Sequence, residues 1–131
     1  MISTMNADVK EIKRILADWV KSVQEKNMSG ILANHSEDIL MFDVPDPILS
    51  KGICDYQKTW ELFFQYSTSG KNSFNLEDLQ IHCGDTIAFC TALIRLTGDK
   101  NPQCRLTLGL KKINDRWAII HEHHSAPHKI V

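Results

Sequence analysis

The periodicity of this chain changes at Phe74, and that change constrains the fold more than any other feature. Before it, Ile12, Ile15, Leu16, Trp19, Val20 and Val23 recur at helical spacing, with Lys10, Lys13, Arg14, Lys21 and Gln24 between them. After it, strand-length runs alternate loosely between apolar and polar residues and are separated by Gly, Asn and Asp turns. Helices first and a meander of strands after predict an α+β fold, with helices packed on one face of a curved antiparallel sheet. The 131 residues give room for a single domain, 1–131, with one main core.

Local signals place the elements. Asn6 is positioned to cap the first helix, which should end near Lys26-Asn27. Ser29 is the candidate cap of a short second helix through Ile31, Leu32 and His35. Ile39 to Phe42 reads as a short buried strand, stopped by Pro45 and Pro47 because proline cannot donate to a ladder. Gly52 leads into a third helix from Ile53 to Tyr66, with Tyr56, Trp60, Phe63 and Phe64 near one face. Strands follow over Asn75–Cys83, Ile87–Thr97 and Cys104–Ile113, and the turn at Asn114-Asp115 leads into a closing strand.

Fifteen basic residues against sixteen acidic ones leave a formal charge of −1, and no basic stripe supports binding to nucleic acid or to a membrane surface. No run resembles a transmembrane span or an apolar signal segment. Cys54, Cys83, Cys90 and Cys104 contain no C-x-x-C pair, so reduced thiols and a cytoplasmic location are expected.

The closing strand, Trp117 to Pro127, carries the chemistry. It opens with a Trp and two Ile and then crowds three histidines and a carboxylate. Strict alternation puts Trp117, Ile119, His121, His123 and Ser125 on one face. An apolar wall running into imidazoles and a hydroxyl is how the inner surface of a ligand pocket looks, although a fraying strand with exposed histidines would have the same composition. The hairpin brings Arg105 and Thr107 beside this face, and Asp43 arrives at the mouth. Arg105 then either binds a substrate carboxylate or pairs with Asp43 or Glu122. His121 and His123 are either an acid–base pair or hydrogen-bonded lining. His121, His123 and Asp43 form the best candidate metal set, but they fall short of four ligands, so no metal or cofactor is expected. Leu106, Leu108 and Leu110 alternate with Arg105, Thr107 and Gly109. That places a leucine row on the side away from the pocket, where a homodimer would cover it.

Several strings together resemble a known superfamily. They are Ala17-Asp18-Trp19, Met41 to Pro47, Gly52 entering the helix of Tyr56 and Trp60, Arg105-Leu106-Thr107, and Trp117 through Pro127 with its His-Glu-His-His-Ser-x-Pro. The chain is similar over nearly its whole length to the nuclear transport factor 2-like, or SnoaL-like, superfamily, which includes ketosteroid isomerases and scytalone dehydratases. The resemblance implies a cystatin-like cone, a curved sheet closed by N-terminal helices around a pocket, with dimers pairing through the sheet. It places Asp43 at or near the catalytic aspartate of ketosteroid isomerases, although Asp before Val-Pro is also a good turn residue. The chain departs from those enzymes on the oxyanion side. Trp19 stands in place of a tyrosine and Gly109 in place of a protonated aspartate, so steroid isomerisation by that apparatus is not expected.

The leading expectation is a small-molecule pocket doing acid–base lyase or isomerase chemistry on a small carbonyl or carboxylate compound. Asp43 would be the base, His123 or His121 its partner, and Arg105 the orienting group. Trp19, Tyr56, Trp60, Thr107, Trp117 and Ser125 would line the site. The alternative is a non-catalytic ligand-binding or dimerisation module.

Overall fold

A helix with one apolar stripe needs an apolar surface to cover it, and here the sheet provides it. The computed structural model describes residues 4–130. Helices α1 (Thr4–Gln24) and α2 (Met28–Leu32) precede strand β1 (His35–Phe42) and the two-residue strand β2 (Ser50–Lys51). Helix α3 (Ile53–Tyr66) is followed by β3 (Phe74–Cys83), β4 (Ile87–Leu96), β5 (Cys104–Ile113) and β6 (Arg116–Ser125).

Two caps differ from expectation. Helix α1 already includes Thr4, so Asn6 lies inside it rather than at its start. Helix α2 is capped by Asn27, whose side chain accepts the Gly30 N–H at 3.2 Å, while Ser29 sits in the first turn. His35 opens β1 instead of closing α2.

The six strands form one curved sheet in the order β2-β1-β6-β5-β4-β3. Successive hairpins make β3 to β6 an antiparallel meander. β1 and β6 run parallel, however, so the sheet is mixed rather than wholly antiparallel. The reason is topological: β1 is separated from β6 by α3 and the whole meander, and the last strand returns beside it in the same sense.

Two bulges in the meander bend this sheet, as an extra residue on one strand does, and the β1–β6 pairing also slips between His35 and Leu40. In β3 the register slips between Glu77 and Gln80, where Asp78 takes a φ of 54°. In β6 it slips opposite Gly109 and Leu110: Gly109 pairs with His121, Leu110 pairs with Ile119, and Ile120 is left over. Gly109 lies opposite the slip, its backbone close to the Cβ of His121.

The bulge at Ile120 reverses the alternation along β6. Trp117 and Ile119 are buried toward the helices, and beyond the bulge so are Glu122 and His124, while His123 is exposed. The core inside the sheet holds Leu106, Leu108 and Leu110, which are 2%, 0% and 0% exposed. The leucine row therefore faces inward, and the expectation that it covers the outer face is wrong. Helix α1 closes the core with Ile12, Ile15, Leu16 and Trp19, and its start is held by Asp8. Asp8 accepts the Trp117 indole N–H at 3.0 Å and pairs with Lys112 at 2.9 Å. Among the described residues, no helix is long and apolar enough to cross a membrane.

This assignment of faces is directly testable on β5. Leu108→Ala should cost about 2–5 kcal/mol by leaving a core cavity, whereas Thr107→Ala should stay within about 0.5 kcal/mol. Urea unfolding of both variants measures the contrast, and a larger loss for the threonine would mean the sheet is inverted.

Candidate functional site

Between α3, the loop after β1 and the inner face of the sheet lies a cavity of about 340 Å³. Its walls are apolar: Met41, Trp60, Phe63, Phe74, Ile94 and Leu96. Val44, Pro45, Leu62 and Tyr66 line its exposed rim, where half-buried Asp43 also stands. His124, only 8% exposed, is the buried titratable side chain in the lining, and Cys104 lies beside β4 with its thiol pushed up by burial and then by Asp43.

Behind His124 sits a fully buried polar cluster centred on Glu122, which is 0% exposed. His124 Nε2 lies 2.9 Å from Glu122 Oε1. The other oxygen, Oε2, accepts the Tyr56 hydroxyl at 2.6 Å and lies 2.6 Å from His35 Nε2. Tyr56 in turn accepts the Trp19 indole N–H at 3.2 Å. The rings of Trp19 and Trp60 meet the His124 imidazole edge to face, with centroids 6.4 and 6.2 Å away. Burial alone would raise the pKa of Glu122 by disfavouring its charged form. The hydrogen bonds and positive charge supplied by His124 and His35 outweigh it and bring the carboxyl down from 4.5 to about 2. Burial, and next the charge of Glu122, hold the Tyr56 phenol well above 10, so Tyr56 remains a donor.

The expected site residues divide between three places. Asp43 and Trp60 line the cavity. Asp43 uses one oxygen to accept the Val44 N–H at 2.8 Å, which fixes it at the rim. Trp19 and Tyr56 are buried behind the cavity and hold Glu122 rather than a ligand. The other six leave the site. Arg105, Thr107 and His123 are exposed on the outer face of the sheet, and half-buried Ser125 pairs with Arg105 there without reaching the cavity. His121 lies on the same outer side, where its Nδ1 donates to the Leu40 carbonyl at 2.7 Å. The Phe42 ring packs against both His121 and His123, at 5.1 and 5.2 Å. Trp117 is buried at the far end of the core on Asp8. The physical cause is the bulge, which turns these histidines outward and brings Glu122 and His124 in.

Sequence reasoning missed Glu122, His124 and His35. A signal for the first two was present in the leucines of β5, the surest inward markers in the meander. Leu108 pairs with Glu122 and Leu106 with His124, so anchoring the register on them places both inside. His121 and His123 are on the opposite face from Asp43, so the two imidazoles and the carboxylate do not converge. Among the described residues, no group of three or more His, Cys, Asp or Glu is arranged to hold a metal ion. In the buried cluster each imidazole faces a different oxygen of one carboxylate.

Comparison with known proteins adds the family. A model of the SnoaL-like domain matches residues 12–129. No curated protein matches the chain. Among solved structures, an NTF2-like protein of unknown function from Pseudomonas putida is 29% identical, with a TM-score of 0.84 over 95% of this chain and 90% of that one. A proposed dehydratase of the NTF2-like family from Streptomyces avermitilis is 13% identical, with a TM-score of 0.76 over 96% of this chain and all of that one (100%). A proposed scytalone dehydratase from Novosphingobium aromaticivorans is 18% identical, with a TM-score of 0.73 over 98% and 89%. These last two show a shared fold.

The buried carboxylate should make stability depend on pH with a definite sign. Because the folded Glu122 carboxyl lies near 2 rather than 4.5, its contribution is fully present above 4.5. It is lost as pH falls toward 2. Glu122→Gln should lower stability at neutral pH by about 1–3 kcal/mol, since it takes the shared carboxylate away from the buried His35, Tyr56 and His124 side chains, and should flatten the fall between pH 4.5 and 2. Thermal unfolding of both proteins across that range checks this; identical acid profiles would remove Glu122 from its central place.

Proposed function

This chain belongs to the SnoaL-like domain family, and we propose that it binds a small, uncharged, largely apolar compound and moves a proton on it. The observation that carries this reading is His124: an imidazole tied to a buried carboxylate at the floor of an otherwise apolar cavity. An imidazole is the side chain best suited to exchange a proton near neutral pH, and an apolar lining strengthens its interaction with a ligand. Asp43 supports the same reading. Phe42 pairs with His123 in the parallel register, so Asp43 and His124 follow as neighbours, and both line the cavity.

The substrate charge follows from the lining. Among the described residues no lysine or arginine lines the cavity, while Asp43 stands at its rim and Glu122 lies behind its floor. A carboxylate ligand would meet negative charge without a partner, since Arg105 lies on the outer face of the sheet and not in the cavity. A neutral carbonyl or hydroxyl compound fits better. In the elimination suggested by the two dehydratase-named neighbours, His124 takes a proton from carbon and the C–H electron pair becomes the new double bond. The imidazolium then returns the proton to the departing hydroxyl, which leaves as water. In an isomerisation the proton returns to a different carbon.

We also propose that the protein is a cytoplasmic homodimer. Ile87, Phe89 and Leu93, which are 53%, 50% and 37% exposed, give the outer face of the sheet an apolar patch for a second copy to cover. The four cysteines are free thiols, consistent with a reducing compartment. Sedimentation at high micromolar concentration should show a species of twice 15.0 kDa, and Phe89→Arg should return it to monomer; a wild-type monomer would end the proposal.

A thermal-shift panel pairing neutral cyclic hydroxyketones with carboxylates of the same shape tests the main reading. The neutral members should stabilise the protein and the carboxylates should not. His124→Gln should still bind what the wild type converts but turn it over at least about a hundredfold more slowly. Preference for the carboxylates would overturn the charge argument. Binding without conversion of any member would favour a non-catalytic binding module.

A further inference from the structure

The cluster behind the cavity joins His35, Tyr56 and His124 to one carboxylate, and the Tyr56 hydroxyl also lies 3.0 Å from His35 Nε2. We infer that His35, Tyr56 and Glu122 are positioning residues that hold His124 with its proton on Nε2 and its Nδ1 as the proton-accepting atom of the cavity. The inference rests on the reading of His124 as the base.

The side chain of His35 is wholly buried. Its Nδ1 lies 3.0 Å from the Ala33 carbonyl oxygen, which can only accept, so Nδ1 carries a proton. Its Nε2 lies 2.6 Å from Glu122 Oε2, so a second proton sits between imidazole and carboxylate. The Tyr56 hydroxyl occupies the same oxygen as a donor, and it is itself oriented by accepting the Trp19 N–H. With Oε2 saturated by His35 and Tyr56, Oε1 is left to face His124. A carboxylate oxygen accepts, so His124 Nε2 must donate and the lone pair of the neutral ring resides on Nδ1. Nδ1 has no hydrogen-bond partner among the described residues, and the ring lines the cavity. A ligand proton therefore meets a base whose tautomer is already chosen, and no rearrangement of the ring is needed to receive it.

The charges around His124 can be stated completely for the described elements that pack on it. Glu122 lies on its own strand, Asp43 follows β1, His35 lies on β1, Tyr56 and Tyr66 lie on α3, and Cys104 lies on β5. The neighbours from α1, β3 and β4 are Trp19, Phe74, Ile94 and Leu96, none of which titrates. Glu122 is thus the dominant negative partner of His124, and His35 competes for it. Removing the competitor should tighten the hold of His124 on a second proton. Removing the carboxylate should loosen it. Opposite signs from two neighbouring variants are not what residues that merely fill space would produce.

Side-chain nitrogen NMR on protein carrying ¹⁵N-histidine tests this without any ligand. In the wild type His124 should show an N–H at Nε2 and a bare Nδ1. The midpoint of its titration should move up by about 1 pH unit in His35→Gln and down by a similar amount in Glu122→Gln. Tyr56→Phe keeps the packing and removes one donor from Oε2, so it should also move the midpoint up, which keeps the test open should either other variant fail to fold. A proton on Nδ1 in the wild type, or shifts of the same sign in the glutamine variants, would overturn the inference even if the ligand panel succeeds. The expected tautomer and shifts with a failed ligand panel would leave it standing and remove the acid–base reading instead.

Discussion

The carboxylate of Glu122 is the constraint on which the rest of this structure turns. Moving an isolated carboxylate into a protein interior costs several kcal/mol even after relaxation, and this one is completely removed from water. It is tolerated because donors reach it from every side: His35 from β1, Tyr56 from α3 and His124 from its own strand, with Trp19 of α1 steadying Tyr56. Each of these elements must be in place for the charge to be satisfied, so one buried group ties both long helices and two strands to a single arrangement. A partly satisfied cluster would be worse than an apolar core.

How that carboxylate comes to be inside depends on one extra residue. Without Ile120 in its unpaired position, alternation from Trp117 would deliver His121 and His123 to the core and turn Glu122 and His124 to solvent. A one-residue slip exchanges the two faces of a strand, and here the exchange happens midway along β6. Its first half packs α1 with Trp117 and Ile119, while its second half supplies the polar cluster. The same bulge bends the sheet around the cavity, so the shape of the site and the identity of its residues share one cause.

Much of the fold was legible from periodicity alone. The stripe from Ile12 to Val23, the α3 helix with Tyr56 and Trp60, and the turn at Asn114-Asp115 all carry local signals, and the elements lie where those signals put them. The end of β1 before Pro45 and Pro47 was legible too, because proline cannot donate to a ladder. The inward histidine was not. Alternation is a local rule with no memory of where a bulge falls, and Gly109, the residue that marks the slip, lies on the neighbouring strand. His35 was hidden for a different reason. It is brought to Glu122 by the parallel β1–β6 pairing, a contact between residues 87 apart in sequence that no local pattern announces.

What the cluster is for can be argued from what the fold alone would prefer. Buried ion pairs are poor stabilisers, and apolar residues of matching volume in their place often hold a core as well or better. The surroundings of Glu122 are already apolar and aromatic, with Leu108 paired beside it and Trp19, Trp60 and Phe74 packed on one another. A leucine or methionine set could continue that packing. Instead the chain keeps a carboxylate, a phenol and two imidazoles in close contact, and only one of the four, His124, reaches the cavity. Groups that served the fold alone would have no reason to end at a ligand-sized space. A device for presenting one imidazole in one protonation pattern would have to end there, and its supporting members would be buried, as these are.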